Sequence, residues 1–281
     1  MKILITGGSG YLGTHVRSFF NADDFSRRST LDILSQHDVE RVADYDVVIH
    51  LAAHMDKSPT GATQSFRTNV EGTRNVLVNM RPYSTFIYAS TKDVYAGHAD
   101  AYESGVPETC STAFAGQSAF EWSKLIAERY VEYYAAQRNV RACIFRMSAV
   151  YARPTSGNEN GFVTHYVESV KHRWPIRLPQ ESDPIRDVLH VDDLSRACKA
   201  FIDSSYKFGL YNLGGGQANA ASLREIIKKI GNMIELEPVI EESAQLPVPV
   251  PFKYVSDLSL IREQLQWQPE VGIDDGLRML L

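Results

Sequence analysis

An α/β fold, a doubly wound parallel sheet with a smaller C-terminal lobe, follows from three observations. Short apolar runs alternate with longer helix-like segments through the first half of the chain. The first apolar run stops at a glycine cluster that can open a helix. Near residue 150 the alternation gives way to a less regular pattern.

Residues 2–6 (KILIT) read as the first strand and residues 10–20 as the first helix. Residues 46–53 (DVVIHLAA) are a second buried-strand candidate. Residues 69–80 read as a helix with Val70, Val76, Leu77 and Met80 apolar. Residues 85–89 (TFIYA), the long helix 118–137 and the strand 140–146 (VRACIFR) follow. Strand, helix, strand at this spacing means parallel strands with right-handed crossovers. In the second half, residues 155–161 read as a loop and residues 162–173 as a helix ending before Trp174-Pro175. Residues 211–213 form a short strand running into Gly214–Gly216. Ser222 caps a helix over 223–234, with Glu225 completing a capping box. Pro247, Pro249 and Pro251 require an extended segment.

Gly7, Gly10 and Gly13 space the cluster as GxxGxxG between the first strand and first helix. Gly7 permits a tight turn, Gly10 lets backbone approach a pyrophosphate, and Gly13 allows close helix–strand packing. The helix N-terminus supplies free N–H groups and a favourable dipole for an anion. This context predicts dinucleotide binding and a Rossmann-type sheet. Residues 1–150 then read as the dinucleotide-binding domain, with return segments near 186–216. Residues 151–281 read mainly as a substrate-binding lobe.

The second strand should end in the group that reads the adenosine ribose. An acid there binds a 2′-hydroxyl, whereas arginines accept a 2′-phosphate. Ser26, Arg27 and Arg28 favour NADP, and Asp24 is the NAD-type acid if the strand ends earlier. Asp32 and Ile33 follow where an Asp could accept from the adenine amine.

Composition excludes several classes. The 281 residues are 44% hydrophobic and 22% charged, which suits a globular chain with a sizeable core. A net charge of −5 argues against a nucleic-acid or anionic-membrane footprint. Cys110, Cys143 and Cys198 form no CxxC pair and no ligand cluster with His, so no metal site is expected. They read as buried filler in a reducing compartment. No run reaches the ~18 apolar residues of a membrane helix. Gly7 and Gly8 interrupt any signal-peptide core, so the expected location is cytoplasmic.

Further segments carry a family resemblance. They are His50-Leu51-Ala52-Ala53, Asn69-Val70-Glu71-Gly72-Thr73-Arg74-Asn75 and Ala89-Ser90-Thr91-Lys92-Asp93-Val94-Tyr95. Lys124, the run Arg186-Asp187-Val188-Leu189-His190-Val191-Asp192-Asp193 and Tyr211-Asn212-Leu213-Gly214-Gly215-Gly216 complete the set. In this order they resemble the extended short-chain dehydrogenase/reductase family of sugar-nucleotide epimerases, dehydratases and 4-keto reductases. The resemblance covers essentially the whole chain. It implies an NADP or NAD cofactor, with Leu51, Ala52 and Ala53 after the fourth strand and Tyr11 and Leu12 in the glycine loop joining its site. It implies Thr91, at the end of the fifth strand, on the reacting sugar oxygen. It places Lys124 on the nicotinamide ribose, where it also lowers the pKa of a tyrosine one helical turn earlier. It puts Arg186 on the nucleotide diphosphate, with an ion pair to Asp183 or Asp187 as the alternative, and Phe162 and Val163 against the sugar nucleotide. Arg146 is implied to be structural. His190, Asp192 and Asp193 read as packing or capping the following helix. Helix 118–137 is implied to pair with its twin in a homodimer.

The chain departs from the family at the tyrosine. Tyr-x-x-x-Lys reads Phe120-Glu121-Trp122-Ser123-Lys124, and phenylalanine has no proton to give. Among fourteen tyrosines only Tyr88 stands four residues before a lysine, Lys92. It lies on a strand, where four residues span roughly 13 Å, so that spacing is accidental. Three readings of Phe120 stand: a Tyr→Phe change made to trap substrate, a natural residue with Tyr95 or Asp93 supplying the proton, or a binding protein without catalysis. General acid–base catalysis is typically worth about 10²–10⁴-fold, so the chain as written should be impaired.

Dehydratases of the family carry an acid pair directly after the Thr. Lys92 and Asp93 stand there, at the substrate, which disfavours dehydration. The arginines favour NADPH-dependent reduction of a nucleotide 4-keto sugar. Nucleotide-sugar 4-epimerisation, 4,6-dehydration and a non-catalytic NADP-binding relative are the alternatives.

Overall fold

The computed structural model describes residues 1–155, 161–180, 182–245 and 251–281. The chain runs β1 (Ile3–Thr6), α1 (Tyr11–Phe20), β2 (Asp23–Phe25), α2 (Gln36–Val39), β3 (Val47–His50), α3 (Ala62–Ser65) and α4 (Thr73–Asn79). Then come β4 (Thr85–Thr91), α5 (Ala119–Arg138), β5 (Arg141–Met147), β6 (Ala149–Tyr151), α6 (Phe162–His172), β7 (Ile176–Pro179) and β8 (Ile185–His190). The remainder is α7 (Val191–Asp203), β9 (Phe208–Leu213), β10 (Ala220–Ser222), α8 (Leu223–Ile234), β11 (Ile240–Ser243), β12 (Lys253–Tyr254), α9 (Ser259–Leu265) and α10 (Ile273–Leu280).

Six parallel strands form the main sheet in the order β2-β1-β3-β4-β5-β9. Successive side chains of a strand point to opposite faces, and here both faces are apolar. Ile5, Ile49, Ile87 and Phe145 pack with Val16 of α1 and Leu194 and Phe201 of α7. Leu4, Val48, Phe86 and Ile144 pack on the other side with Val76 and Leu77 of α4 and Ala127 and Val131 of α5. The continuous apolar runs in the sequence are therefore the signature of strands covered on both faces.

The strand count differs from expectation. His50 ends the third strand and Thr91 the fourth, not the fourth and fifth. Between β2 and β3 the chain makes only short helical turns, at Arg27–Ser29, Gln36–Val39 and Glu40–Asp44, with no strand between them. Residues 69–80 also differ in detail. Phe66–Gly72 is a π-type stretch leading into α4, with Asn69 and Val70 buried.

A second core carries the lobe. Tyr151, Val163, Val167, Leu178, Val188, Ile226, Ile230 and Leu277 pack together from β6, α6, β7, β8, α8 and α10. β8 pairs with β10 antiparallel and with β6 and β12 in parallel. The Ser222–Glu225 capping box opens α8 as the sequence requires. Pro247 and Pro249, and most of the 155–161 loop, lie outside the described residues. All three cysteines are free and buried.

Candidate active site

The glycine turn closes as its spacing demands. Gly7 adopts φ +70°, and a Cβ there would stand 2.9 Å from the Ala52 backbone nitrogen. A Cβ on Gly13 would collide with the Gly7 carbonyl. Gly10 caps α1 without a side-chain hydrogen bond, and the first turn carries no acid. The N-terminal N–H groups of α1 thus face a cradle that fits a dinucleotide pyrophosphate.

His50 ties that cradle to the sheet. Thr6 Oγ1 lies 2.7 Å from His50 Nδ1, and His50 Nε2 lies 3.0 Å from Thr73 Oγ1. Thr73 donates to the Asn69 carbonyl at 2.6 Å, so its oxygen accepts from Nε2–H and Nδ1 accepts from Thr6. Thr6 Oγ1 in turn accepts from the Ala52 N–H at 3.2 Å. Leu51 N–H donates to the Thr6 carbonyl at 3.1 Å, and Ala53 continues the same exit. Burial pushes the His50 pKa down to about 3, with Lys124 adding to the effect, so the ring is neutral.

Beyond β2, Ser26 caps a short 3-10 turn, Arg27–Ser29. Ser26 donates to Asp24 at 2.9 Å, and Asp24 also accepts from Ser9 of the glycine loop. Arg28 donates to the Ser9 carbonyl at 2.8 Å. The second strand's acid and Arg28 therefore meet at one end of the cradle. Asp32 accepts from Leu34 N–H at 2.9 Å and closes a turn. Ile33 is buried against Gly72, as core. The Tyr11 hydroxyl leaves the loop for the lobe, 2.7 Å from Thr164 Oγ1 and accepting from Ala152 N–H at 2.7 Å.

The reacting end is built by β4 and α5. Thr91 Oγ1 accepts from Asp93 N–H at 3.2 Å. Lys124 is buried, donates to the Ala89 carbonyl at 2.7 Å and lies 4.9 Å above the Tyr88 ring. Burial brings its pKa down to about 7, against the opposing pull of Glu128. Phe120 is also buried, on the first turn of α5. Tyr88 lies under Lys124, whereas Lys92 lies 5.0 Å over Tyr254, so the Tyr88–Lys92 spacing makes no pair.

Neither candidate proton donor offered for Phe120 serves. Tyr95 is fully buried; its hydroxyl donates to Asn212 at 2.7 Å and accepts from Arg146 at 3.1 Å. Asp93 is paired with Lys92 and, at 2.7 Å, with Lys57. Burial opposes its ionisation, but the two cations hold it well below the usual carboxylate range. A group that stays ionised donates no proton.

Lys57 is the residue that sequence reasoning missed. It sits on the loop after β3, 2.8 Å from Glu121 Oε1 and 5.7 Å from the centre of the Phe120 ring. Glu121 uses its other oxygen to cap α5 at Ser118 N–H, 2.8 Å away. No local motif marks a lysine at this place.

Arg186 pairs with neither Asp183 nor Asp187. Its guanidinium donates to the carbonyls of Ile185, Phe252 and Pro251 at 2.6, 2.9 and 2.7 Å. Val163 is 1% exposed inside the lobe core, where Phe162 joins it by an edge contact to Tyr166, so packing accounts for both. His190 caps α7, and Asp193 accepts from the N–H groups of Glu270 and Val271. Arg146 forms a buried ion pair with Glu128 at 2.7 Å. Among the described residues there is no cluster able to hold a metal and no helix long and apolar enough to cross a membrane.

Comparison with known proteins agrees with this geometry. CDP-paratose 2-epimerase of Salmonella typhi is 27% identical over all of this chain and 98% of its own length. UDP-glucose 4-epimerase of Thermotoga maritima, solved with UDP-glucose, superposes with a TM-score of 0.84 at 22% identity, covering 100% of this chain and 97% of that one. RMD of Pseudomonas aeruginosa, solved with NADPH, superposes with a TM-score of 0.81 at 20% identity, covering 100% and 98%. These two likenesses establish the fold. Residues 3–214 match the model of the NAD dependent epimerase/dehydratase family. That match spans most of the chain, and the chain belongs to that family.

Proposed function

We propose that this chain reduces a 4-keto group on a nucleotide-diphosphate sugar with NADPH. The observation that carries the reading is the basic turn after β2, where Arg28 reaches the Ser9 carbonyl of the glycine loop at 2.8 Å and Arg27 stands beside it. Guanidinium groups at this end of the cradle suit a 2′-phosphate. The dinucleotide, when bound, supplies the hydride for C4. The chain's own residues bind and orient. The glycine loop and the α1 N-terminus hold the pyrophosphate. The Thr91 hydroxyl accepts from Asp93 N–H and keeps its own hydrogen for the sugar oxygen. Lys124 reaches the nicotinamide ribose, and Arg186 takes the diphosphate.

Epimerisation is the second reading, favoured by Asp24, whose carboxylate joins Ser9 and Ser26 where an NAD-type acid belongs. Dehydration is disfavoured because Lys92, paired with Asp93, stands where an acid pair is needed. A non-catalytic role leaves the retention of Thr91, Lys124 and Arg186 together without a reason. The exposed aromatics Trp122, Tyr130 and Tyr133 on α5 support a homodimer through that helix. A cytoplasmic location fits three unpaired cysteines.

The test is NADPH oxidation with 4-keto-6-deoxy sugars carrying UDP, dTDP, CDP or GDP. Net stoichiometric loss of NADPH on one of them supports reduction. Interconversion of 4-hydroxy sugars without net loss of NADPH replaces it with epimerisation.

A further inference from the structure

We infer that Lys57 is the proton donor of this site, standing in for the tyrosine that Phe120 replaces. The inference rests on the reductase reading and deepens it. Its ammonium lies 5.7 Å from the Phe120 ring centre, a cation–π distance, and is steered by two carboxylates, Asp93 Oδ2 at 2.7 Å and Glu121 Oε1 at 2.8 Å. Both carboxylates are anchored elsewhere. Asp93 is held by Lys92, and Glu121 is fixed by its helix cap at Ser118. The ammonium is therefore fixed in place by residues from two segments, the exit of β4 and the start of α5.

The other candidates are spent. Tyr95 is committed to Asn212 and Arg146, and Asp93 is an ionised partner. Lys92 is 8% exposed and pressed over Tyr254. The Lys57 side chain is 54% exposed and open to a substrate.

The chemistry balances in one direction. Hydride from the reduced dinucleotide forms the C4–H bond, and the carbonyl π pair moves to oxygen. The oxygen takes a proton from Lys57 Nζ; one N–H bond breaks and one O–H bond forms. The sugar carbonyl is reduced to the alcohol and the dinucleotide oxidised. The neutral amine regains its proton from water. Burial pulls the Lys57 pKa down, but Asp93 and Glu121 together carry it above the ordinary lysine value. The raised pKa makes Lys57 a weaker acid than a free lysine but keeps it protonated at neutral pH, so a proton is present for the developing alkoxide and the amine that would abstract one from an alcohol is scarce. That asymmetry fits a one-way reduction better than a reversible epimerisation.

The experiment compares the parent chain, Lys57→Met, Lys57→Arg, Phe120→Tyr and Lys57→Met/Phe120→Tyr on the same sugar panel. Lys57→Met and Lys57→Arg are expected to lose about 10²-fold in kcat with the NADPH KM unchanged. Arginine keeps the charge and the ion pairs but holds its proton too tightly to give it up. Phe120→Tyr in the Lys57→Met background should recover at least about tenfold. A second readout is acetylation of Lys57 by an N-hydroxysuccinimide ester, followed by mass spectrometry. NADP⁺ with the dTDP-, UDP-, CDP- or GDP-sugar that binds should slow it at least about tenfold relative to NADP⁺ alone. Lysine variants within about threefold of the parent, or acetylation indifferent to every sugar, overturn the assignment and leave the reductase reading standing. The same holds if only Phe120→Tyr is active. Parent and Phe120→Tyr both silent on every sugar overturn the reductase reading, and this inference with it.

Discussion

The Nζ of Lys124 donates a 2.7 Å hydrogen bond to the backbone carbonyl of Ala89, so a buried cation on α5 is fastened to the exit of β4. That contact sets the distance between the helix and the strand that carry Lys124 and Thr91. It also sets a cost, because burial disfavours the charged form.

The cost has a sign in pH. The Lys124 pKa falls from 10.5 to about 7 on folding, so between these values the unfolded chain binds more protons than the native one. Its contribution to stability rises as pH climbs from 7 towards 10.5, by at most about 1.4 kcal/mol per pH unit, and the penalty is complete below 7. Lys124→Met should therefore gain stability against the parent at pH 7, and the gain should shrink towards pH 10. Urea midpoints across this range check it; a pH-independent difference refutes it.

Substituting Gly13→Val puts a side chain where the Gly7 carbonyl already stands. The cradle must open. NADPH affinity should fall at least tenfold, about 1.4 kcal/mol, with the far-ultraviolet circular dichroism retained. Isothermal titration measures the loss.

The basic turn after β2 makes its own prediction. Arg27→Ala/Arg28→Ala should weaken NADPH by about 1.5–3 kcal/mol, the range for hydrogen bonds to charged groups, and leave NADH nearly unchanged. Fluorescence titration of both dinucleotides separates this from the Asp24 alternative. A parent chain that prefers NADH would shift weight to Asp24.

Arg146 and Glu128 form an ion pair that is almost wholly buried, with Ser90 donating to the same carboxylate at 2.5 Å. Arg146→Met leaves that carboxylate buried without its cation and should cost about 3–5 kcal/mol in urea unfolding. Arg146→Met/Glu128→Gln should cost less than the single change, because no uncompensated charge remains. Equal losses would show that packing, not charge, sets the effect.

Much of the molecule is legible in the order of residues. Continuous apolar runs such as those in 46–53 and 140–146 predict strands buried on both faces, and Ser222 with Glu225 predicts a helix start, because local geometry alone decides these. The GxxGxxG spacing predicts the cradle because each glycine answers a steric demand within one turn. The departure at Phe120 is visible through the family resemblance, as one position in a five-residue pattern.

What the order of residues leaves open depends on contacts between distant segments. Asp46–Ala53 reads as a strand, but its place as third in line depends on what the β2–β3 link builds, which is three short helical turns. Ile33 and Val163 read as ligand contacts until Gly72 and Leu277 are found around them. Tyr11 belongs to the glycine loop by sequence and to the lobe by its hydroxyl, since Ala152 and Thr164 arrive only through the fold. Lys57 and Phe120 are joined because β3 and β4 lie side by side and α5 packs over them. The sequence by itself determined the parallel sheet and the cradle, which follow from short-range sterics and hydrophobic periodicity, and its motifs in order carried the family resemblance. Only the tertiary structure decided which cation stands over Phe120, because a charge is placed by partners that the chain brings together from far along its length.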